Sequence, residues 1–318
     1  MATITEPTGA DLEQPAPVRR GAGDAVFRGA ALAGALLVIV FLAGVAIFLT
    51  AKGLPAFDAA AGEQLYGKDS LLGLVGPLLF GTVLASVLAM LIVAPLATGL
   101  ALVISHYAPR RLARPVGFLV DLLAAVPSVI VGLWGIEVLA PRLEPFFTWL
   151  DGNAGWIPLF EGPVPSSGRT LLTASLVLAL MALPIVTAIM REVFAQTPRA
   201  NEEAALALGA TRWEMIRMAV LPYGRSGMVA ALMLGLGRAL GETMAVAMVL
   251  GATGAKLSFN LVSADSSNTI AAFIANNYAN ASGVKTNVLI FAGLALFVLT
   301  FAVNYLGRWV ASRGQVRV

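Results

Sequence analysis

Long apolar runs separated by short polar gaps make up most of the chain. Each of six runs is long enough to cross a hydrocarbon core of about 30 Å as an α-helix. The pattern therefore predicts six membrane-spanning helices, at about residues 29–51, 70–105, 115–139, 170–190, 226–251 and 286–307. The second run is longer than one span needs, and Pro77 and Pro95 predict an initial segment and a break near its far end.

The composition agrees with this pattern, because 58% of the 318 residues are hydrophobic, 12% are charged and the mean hydropathy is +0.84. A soluble domain is about a quarter charged. The sequence thus predicts an all-α integral membrane protein with one six-helix domain over residues 28–310. Residues 1–27 carry proline and acidic residues without an apolar core and predict a disordered tail. Residues 311–318 predict a second, short tail.

The arginines indicate how the chain crosses the membrane. With six spans, both chain ends and every second gap lie on the same side of the membrane. Most of the arginines lie on that side. Arginine and lysine near span ends are retained in the cytoplasm. Both termini are therefore expected in the cytoplasm, and the chain is expected to be a multi-pass protein of a bacterial plasma or inner membrane.

Several kinds of chemistry lack the residues they need. The chain has no cysteine and one histidine, His106, so it offers neither a thiolate site, a Ser/His/Asp triad nor a metal cluster. Residues 62–69, GEQLYGKD, come near a phosphate-binding loop, but Asp69 stands where a serine or threonine would hold magnesium. The sequence predicts no catalytic residue, no metal site and no nucleic-acid partner. If ATP supplies energy, it binds to another chain.

The gap between the fourth and fifth spans is long, cytoplasmic and patterned, and two short helices fit residues 198–222. Pro198 suits a helix start, and Gly209 suits a left-handed helix end. Thr211 and Glu214 have the spacing of a capping box for a second helix, which is expected to stop before Pro222. From its mixed side chains alone, this second helix could also lie on the lipid surface.

This gap resembles the EAA loop of type I ABC importer permeases. The matching residues are Glu203, Ala204, Ala205, Gly209, Leu221 and Pro222, and the departure is Ala219, where the family pattern has isoleucine. The resemblance implies a MetI-like permease fold whose loop docks on a separate ATPase subunit. It also implies that Mg-ATP binds to that partner, with no cofactor on this chain.

Two further segments, residues 122–135 and 217–251, resemble the PstC-type permease of the phosphate ABC importer. That resemblance extends from the second span to the sixth. It implies a second permease of the PstA type, an ATPase dimer of the PstB type and an extracytoplasmic phosphate-binding protein of the PstS type, besides membrane lipid. The outer loop after the fifth span predicts a short amphipathic helix, which would either receive the binding protein or lie over the pore as a gate.

Arg238 and Glu242 stand inside the fifth predicted span. Because an arginine at a helix centre costs about 2.5 to 3.5 kcal/mol on insertion scales, it should face a polar cavity or a partner. Because they are four residues apart in a helical span, the two residues are predicted to share one helix face. Either they neutralise each other or pair with the second permease, or they line the substrate path. In the second interpretation Arg238 donates to phosphate oxygens and Glu242 accepts the proton that phosphate retains.

Ser128 follows Pro127 in the third predicted span, and Pro184 lies in the fourth. Prolines free backbone groups within the membrane, so Ser128 is a further candidate for the path.

These features predict a permease subunit of an ATP-driven phosphate importer without enzymatic chemistry of its own. An ABC permease for another oxyanion and a proton-coupled secondary anion transporter, in which Glu242 would carry the proton, are the alternatives. The EAA loop argues against the secondary transporter, because such a carrier needs no ATPase-docking helix.

Overall fold

The structure is a computed structural model that describes residues 22–59, 66–68, 70–251 and 254–313. Residues 1–21 and 314–318 of the predicted tails lie outside the described residues, as does most of the GEQLYGKD segment. The chain divides into two units, residues 1–48 and residues 49–318.

The first unit contains most of helix α1, Ala22–Gly53, whose apolar stretch has a mean hydropathy of 2.9. Residues 22–27, which the sequence places in the tail, are the first turns of this helix. Asp24 lies in the first turn, where a carboxylate interacts favourably with the helix dipole. The predicted tail therefore ends before residue 22.

The second unit is built from helices, and no β-strand occurs among the described residues. These helices are α2 (Ala56–Ala59), α3 (Leu71–Leu102), α4 (Arg110–Ala124), α5 (Ser128–Trp134), α6 (Ala140–Ala154), α7 (Leu171–Ala195), α8 (Arg199–Ala207), α9 (Arg212–Met215), α10 (Leu221–Gly241), α11 (Met244–Leu250), α12 (Ile270–Asn277) and α13 (Val284–Arg313). Short π-helical segments, Val103–Tyr107, Gly135–Leu139 and Ile216–Val220, follow α3, α5 and α9. The predicted all-α class is confirmed.

Five stretches of the described chain are helices long and apolar enough to cross a membrane: Gly23–Gly53, Leu71–Tyr107, Leu171–Ala195, Arg212–Gly241 and Val284–Val310. A sixth span results if Arg111–Ala124 and Ser128–Ala154, which meet at an angle of 93°, are counted together. The predicted number of six therefore includes one span that is sharply bent.

The core of the second unit forms where α7 packs along α3 and α10. Small buried side chains, such as Ala85 and Ala89 on α3 and Ala182 on α7, let the helix axes approach closely. Gly235 of α10 has the same effect, since an added Cβ would lie 2.5 Å from Val186. Close packing of this kind is what holds helices together in lipid, where apolar burial gives no advantage.

Three predictions about individual spans are wrong, and one of them is the continuous span 226–251, which is interrupted after Gly241. Helix α3 continues through Pro77 and Pro95 without the predicted break. It packs along α7, and such tertiary contacts let membrane helices accommodate proline. The predicted span 115–139, in contrast, is divided at residues 125–127. Pro127 is the N-cap of α5, with φ −59° and ψ 136°, and α4 ends at Ala124, because the residue before a proline disfavours the helical conformation.

Candidate functional site

Helix α8 carries Glu203, Ala204 and Ala205 and ends as the sequence predicts. Gly209 has a φ of 87°, in the left-handed region that favours glycine. The Gly209 N–H donates to the Leu206 carbonyl at 3.0 Å, and the Ala210 N–H donates to the Ala205 carbonyl at 3.2 Å. These two bonds form a Schellman motif, which satisfies the last carbonyls of α8. The predicted glycine corner is confirmed.

The helix after this corner begins with the predicted capping box. The Glu214 N–H donates to the Thr211 hydroxyl, and the Thr211 N–H donates to the Glu214 carboxylate at 2.8 Å. The predicted stop before Pro222 is wrong. The Leu221 N–H donates to the carbonyl of Ile216, which makes a π-helical turn, and this wider turn accommodates Pro222 at the start of α10 without ending the helix. Residues 212–241 therefore form one helix of 30 residues.

The same loop has a buried and an exposed side. Ala205, Met215 and Ile216 are buried and belong to the hydrophobic core. Leu208 and Trp213 are exposed, at 88% and 55%. An apolar surface of this kind next to a rigid corner is suited to contact with another protein.

Arg238 lies in the last turn of α10 and is exposed. It borders a cavity of about 130 Å³ whose other lining residues are Leu123, Ala124, Val126, Val131, Leu180, Met181, Leu183 and Pro184. Arg238 is the charged member of this lining, which also includes Ala124 and Val126 at the turn that divides α4 from α5. Arg238 thus contributes to an otherwise apolar cavity within the membrane-spanning part of the chain.

Glu242 does not share a helix face with Arg238, so that prediction is wrong. Helix α10 ends at Gly241, and Glu242 has extended backbone with φ −67° and ψ 123°. Its Oε1 accepts a hydrogen bond from the Ala245 N–H at 3.4 Å, at the start of α11. Glycine weakens a helix by about 1 kcal/mol, and the carboxylate at the start of α11 stabilises a new helix after Gly241.

The ion pairs of the described residues join His106 to Glu202, Arg191 to Asp121 and Lys256 to Asp265. A pair between Arg238 and Glu242 is not among them. The interpretation in which these two side chains neutralise each other directly therefore has no support in this conformation.

The chain is interrupted between α4 and α5 and again between α10 and α11. The helices that follow these two breaks, α5 and α11, pack against each other. Gly132 makes this approach possible, since an added Cβ would lie 2.8 Å from the Cα of Ala245. Ser128 is the first residue of α5 and is half-buried, but its side chain does not line the Arg238 cavity. The fold thus brings together the turn before Ser128, the break at Glu242 and the cavity at Arg238.

Sequence reasoning missed the residues that hold the other end of α11. Arg169 donates from Nε to the Val249 carbonyl at 2.9 Å and from Nη2 to the Met248 carbonyl. Asn276 of α12 donates to the Gly251 carbonyl at 2.6 Å. Helix C-termini attract cations, so α11 is anchored by a carboxylate at one end and a guanidinium at the other. The only sequence signal was a polar residue near a span end.

The fold resembles those of solved ABC importers. An inward-facing MetNI methionine ABC transporter matches 76% of this chain and 94% of its own chain at 18% identity, with a TM-score of 0.51. A bacterial ABC transporter for import of the acidic polysaccharide alginate matches 92% of this chain and 96% of its own at 16% identity, with a TM-score of 0.62. At these identities the likeness concerns the fold.

Residues 95–315 match the family of binding-protein-dependent transport system inner membrane components. The chain belongs to this family. The permease is therefore a multi-pass inner-membrane transport protein and not an enzyme, and its EAA loop is typical of the family.

Curated relatives of the permease cover nearly its whole length. "Phosphate transport system permease protein PstC 2" of Mycobacterium tuberculosis is 47% identical over 97% of this chain and 98% of its own length. PstC proteins of Mycobacterium leprae and Mesorhizobium japonicum are 44% and 40% identical, over 92% and 95% of this chain and 94% of each relative.

Proposed function

We propose that the permease is a transmembrane subunit of an ATP-driven importer of inorganic phosphate. It forms half of the translocation path and couples to a separate ATPase through its EAA loop. The observation that carries the proposal is Arg238, an exposed arginine at a cavity whose other lining residues are uncharged. The phosphate-transport names of relatives at 40% to 47% identity support the choice of substrate.

Arg238 is suited to an oxyanion for two physical reasons. Its guanidinium offers donors in a planar fork that matches two oxygens of one anion. The other lining side chains are apolar and offer little competing polarity, so that the attraction between opposite charges is stronger there than in bulk water.

Glu242 has a different role in this proposal. One of its carboxylate oxygens accepts a hydrogen bond from the start of α11, which fixes the side chain near the break. A phosphate that retains a proton donates a hydrogen bond to such a carboxylate, whereas sulfate has no proton to donate. We infer that Glu242 discriminates between these oxyanions, and that Ser128, at the neighbouring break, offers a hydroxyl to the same path.

The exposed side of α8 and α9, with Leu208 and Trp213, is proposed as the surface that contacts the ATPase. The partners are then a PstB-type ATPase dimer, which binds Mg-ATP, a PstA-type second permease and a PstS-type phosphate-binding protein on the outer side. The continuous helix from Arg212 to Gly241 links this surface to Arg238.

The test is uptake of labelled phosphate in cells that lack their own permease and contain the partner subunits. Arg238→Gln should lower uptake at least tenfold, because loss of a charged hydrogen bond costs about 1.5 to 3 kcal/mol. Arg238→Lys should retain part of the uptake. Arg225→Gln, an exposed arginine near the start of α10, is the matched control and should transport normally.

Co-purification with the ATPase and ATP hydrolysis show whether each variant assembles. Normal uptake by Arg238→Gln would remove Arg238 from the path. An assembled wild-type complex that transports another oxyanion but not phosphate would overturn the substrate. Uptake that persists when ATP hydrolysis is blocked would favour the proton-coupled carrier.

A further inference from the structure

His106 connects the second span to the EAA loop. It lies in the π-helical segment Val103–Tyr107 at the end of α3, and its Nε2 is 3.4 Å from Oε1 of Glu202 in α8. The exposed fractions of the two side chains are 10% and 24%. The contact is therefore largely shielded from solvent.

The other side of the imidazole is also held. Its Nδ1 lies 2.7 Å from the hydroxyl of Ser105, which donates to the carbonyl of Ala101 at 2.8 Å. With a partner at each nitrogen, the ring has little freedom to rotate. A chain of polar contacts thus runs from the backbone of α3 through Ser105 and His106 to Glu202.

Glu202 precedes the Glu203-Ala204-Ala205 triplet and lies in the first turn of α8. Among the described residues, the side chains of α8 make one polar contact with a residue outside the loop 198–222. That contact is the one between Glu202 and His106. The other attachment of α8 is apolar packing, through Ala205 and the segment Ile216–Val220. Removing the polar contact therefore leaves α8 in place but frees its first turn.

We propose that His106 is a positioning residue for energy coupling, which acts through Glu202 to fix α8 to the second span. This inference rests on the proposed function. Helix α8 then moves two parts of the core together: α10, through the continuous helix after Thr211, and α3, through His106. Helices α3 and α10 both pack on α7. The contact between His106 and Glu202 therefore makes the core helices move together when the ATPase displaces the loop.

The first measurement is the number of ATP molecules hydrolysed per phosphate transported by the complete complex in lipid vesicles. Glu202→Ala and His106→Ala should each raise this ratio about 2-fold to 30-fold, the effect of residues along a coupling network. The exchanged pair, His106→Glu with Glu202→His, should bring the ratio back toward the wild-type value. Glu192→Gln removes an exposed carboxylate from the end of α7 and should leave the ratio unchanged.

An unchanged ratio in both alanine variants, with the ATPase still co-purifying, would overturn the proposal. So would a parallel loss of transport, hydrolysis and assembly, because that result indicates a structural role alone.

A second measurement does not depend on the substrate. His106 is the single histidine of the chain, so ¹⁵N-histidine labelling of the permease within the complex gives one imidazole spectrum. The signal should change on Glu202→Gln and on trapping of the ATP-bound ATPase, but not on Glu192→Gln. A signal that changes neither on Glu202→Gln nor on trapping of the ATP-bound ATPase would refute the positioning role. Failure of wild-type phosphate uptake, with this signal still responsive, would instead count against the proposed substrate.

Discussion

Gly209 adopts a backbone conformation that a residue with a Cβ reaches only at a cost. Its φ is 87°, and an added Cβ would meet nothing within 4 Å, so any penalty comes from the backbone and not from a clash. The left-handed conformation costs an ordinary L-residue about 1 to 2 kcal/mol, is worse for β-branched residues and is better tolerated by asparagine. The corner is thus a single-residue device for setting the angle between α8 and α9.

Gly209→Val is expected to insert into the membrane but lose phosphate uptake, because the altered angle separates α8 from the helix that follows it. Gly209→Asn should retain most uptake, since asparagine accepts the same φ. Uptake and the amount of protein in the membrane fraction, measured together, check this prediction. Normal uptake by Gly209→Val would contradict the coupling role of the corner.

The ion pair between Arg191 and Asp121 joins α7 to α4 at 3.3 Å, but the two side chains remain 27% and 50% exposed. Pairs that water can reach contribute about 0 to 1 kcal/mol. Asp121→Asn should therefore change the free energy of unfolding by no more than about 1 kcal/mol. Thermal unfolding of the detergent-solubilised permease tests this expectation, and a loss of stability much larger than about 1 kcal/mol would contradict it.

Among the elements, α5 and α11 approach each other at one small residue. A Cβ on Gly132 would lie 2.8 Å from the Cα of Ala245, a backbone atom that cannot rotate away. Gly132→Ala should therefore separate the two helices and lower the unfolding temperature. Gly237→Ala is the matched control, because its Cβ meets nothing within 4 Å and alanine favours a helix by about 1 kcal/mol. Equal unfolding temperatures for the two variants would contradict the contact.

Local motifs in this chain could be predicted from sequence, whereas interruptions of helices could not. Gly209 and Thr211 act through hydrogen bonds to residues three to five positions away, so their spacing contains the information. Prolines behave differently, since Pro95 and Pro184 lie inside continuous helices whereas Pro127 lies at the end of a sharp turn. The residue type is the same in each case. Packing against distant helices decides the outcome.

The candidate site shows the same limit. Arg238 could be selected because a charge within an apolar run needs a reason. Its relation to Glu242 was predicted wrongly, because the argument from a spacing of four residues assumes an unbroken helix. The cavity and the Arg169 anchor depend on residues from separate spans and leave little trace in the sequence.

At the scale of the whole molecule, the arrangement across the membrane is open to a direct test. The chain has no cysteine, so a single introduced thiol reacts without background. Gln196→Cys, after α7, should react with a membrane-impermeant maleimide only in permeabilised cells. Gly152→Cys, in α6, should react in intact cells. Both positions are exposed in the structure. The opposite result for either position would reverse the expected orientation with both termini in the cytoplasm.

The continuous helix from Arg212 to Gly241 can also be considered as a lever. Its 30 residues correspond to a rod about 45 Å long. Tilting such a rod by about 5° about one end displaces the other by about 4 Å, from its length alone. That distance is comparable with the width of a small anion. A small angular change at the capping box is therefore enough to open or close an ion-sized gap beside Arg238, without any change of fold inside the helix.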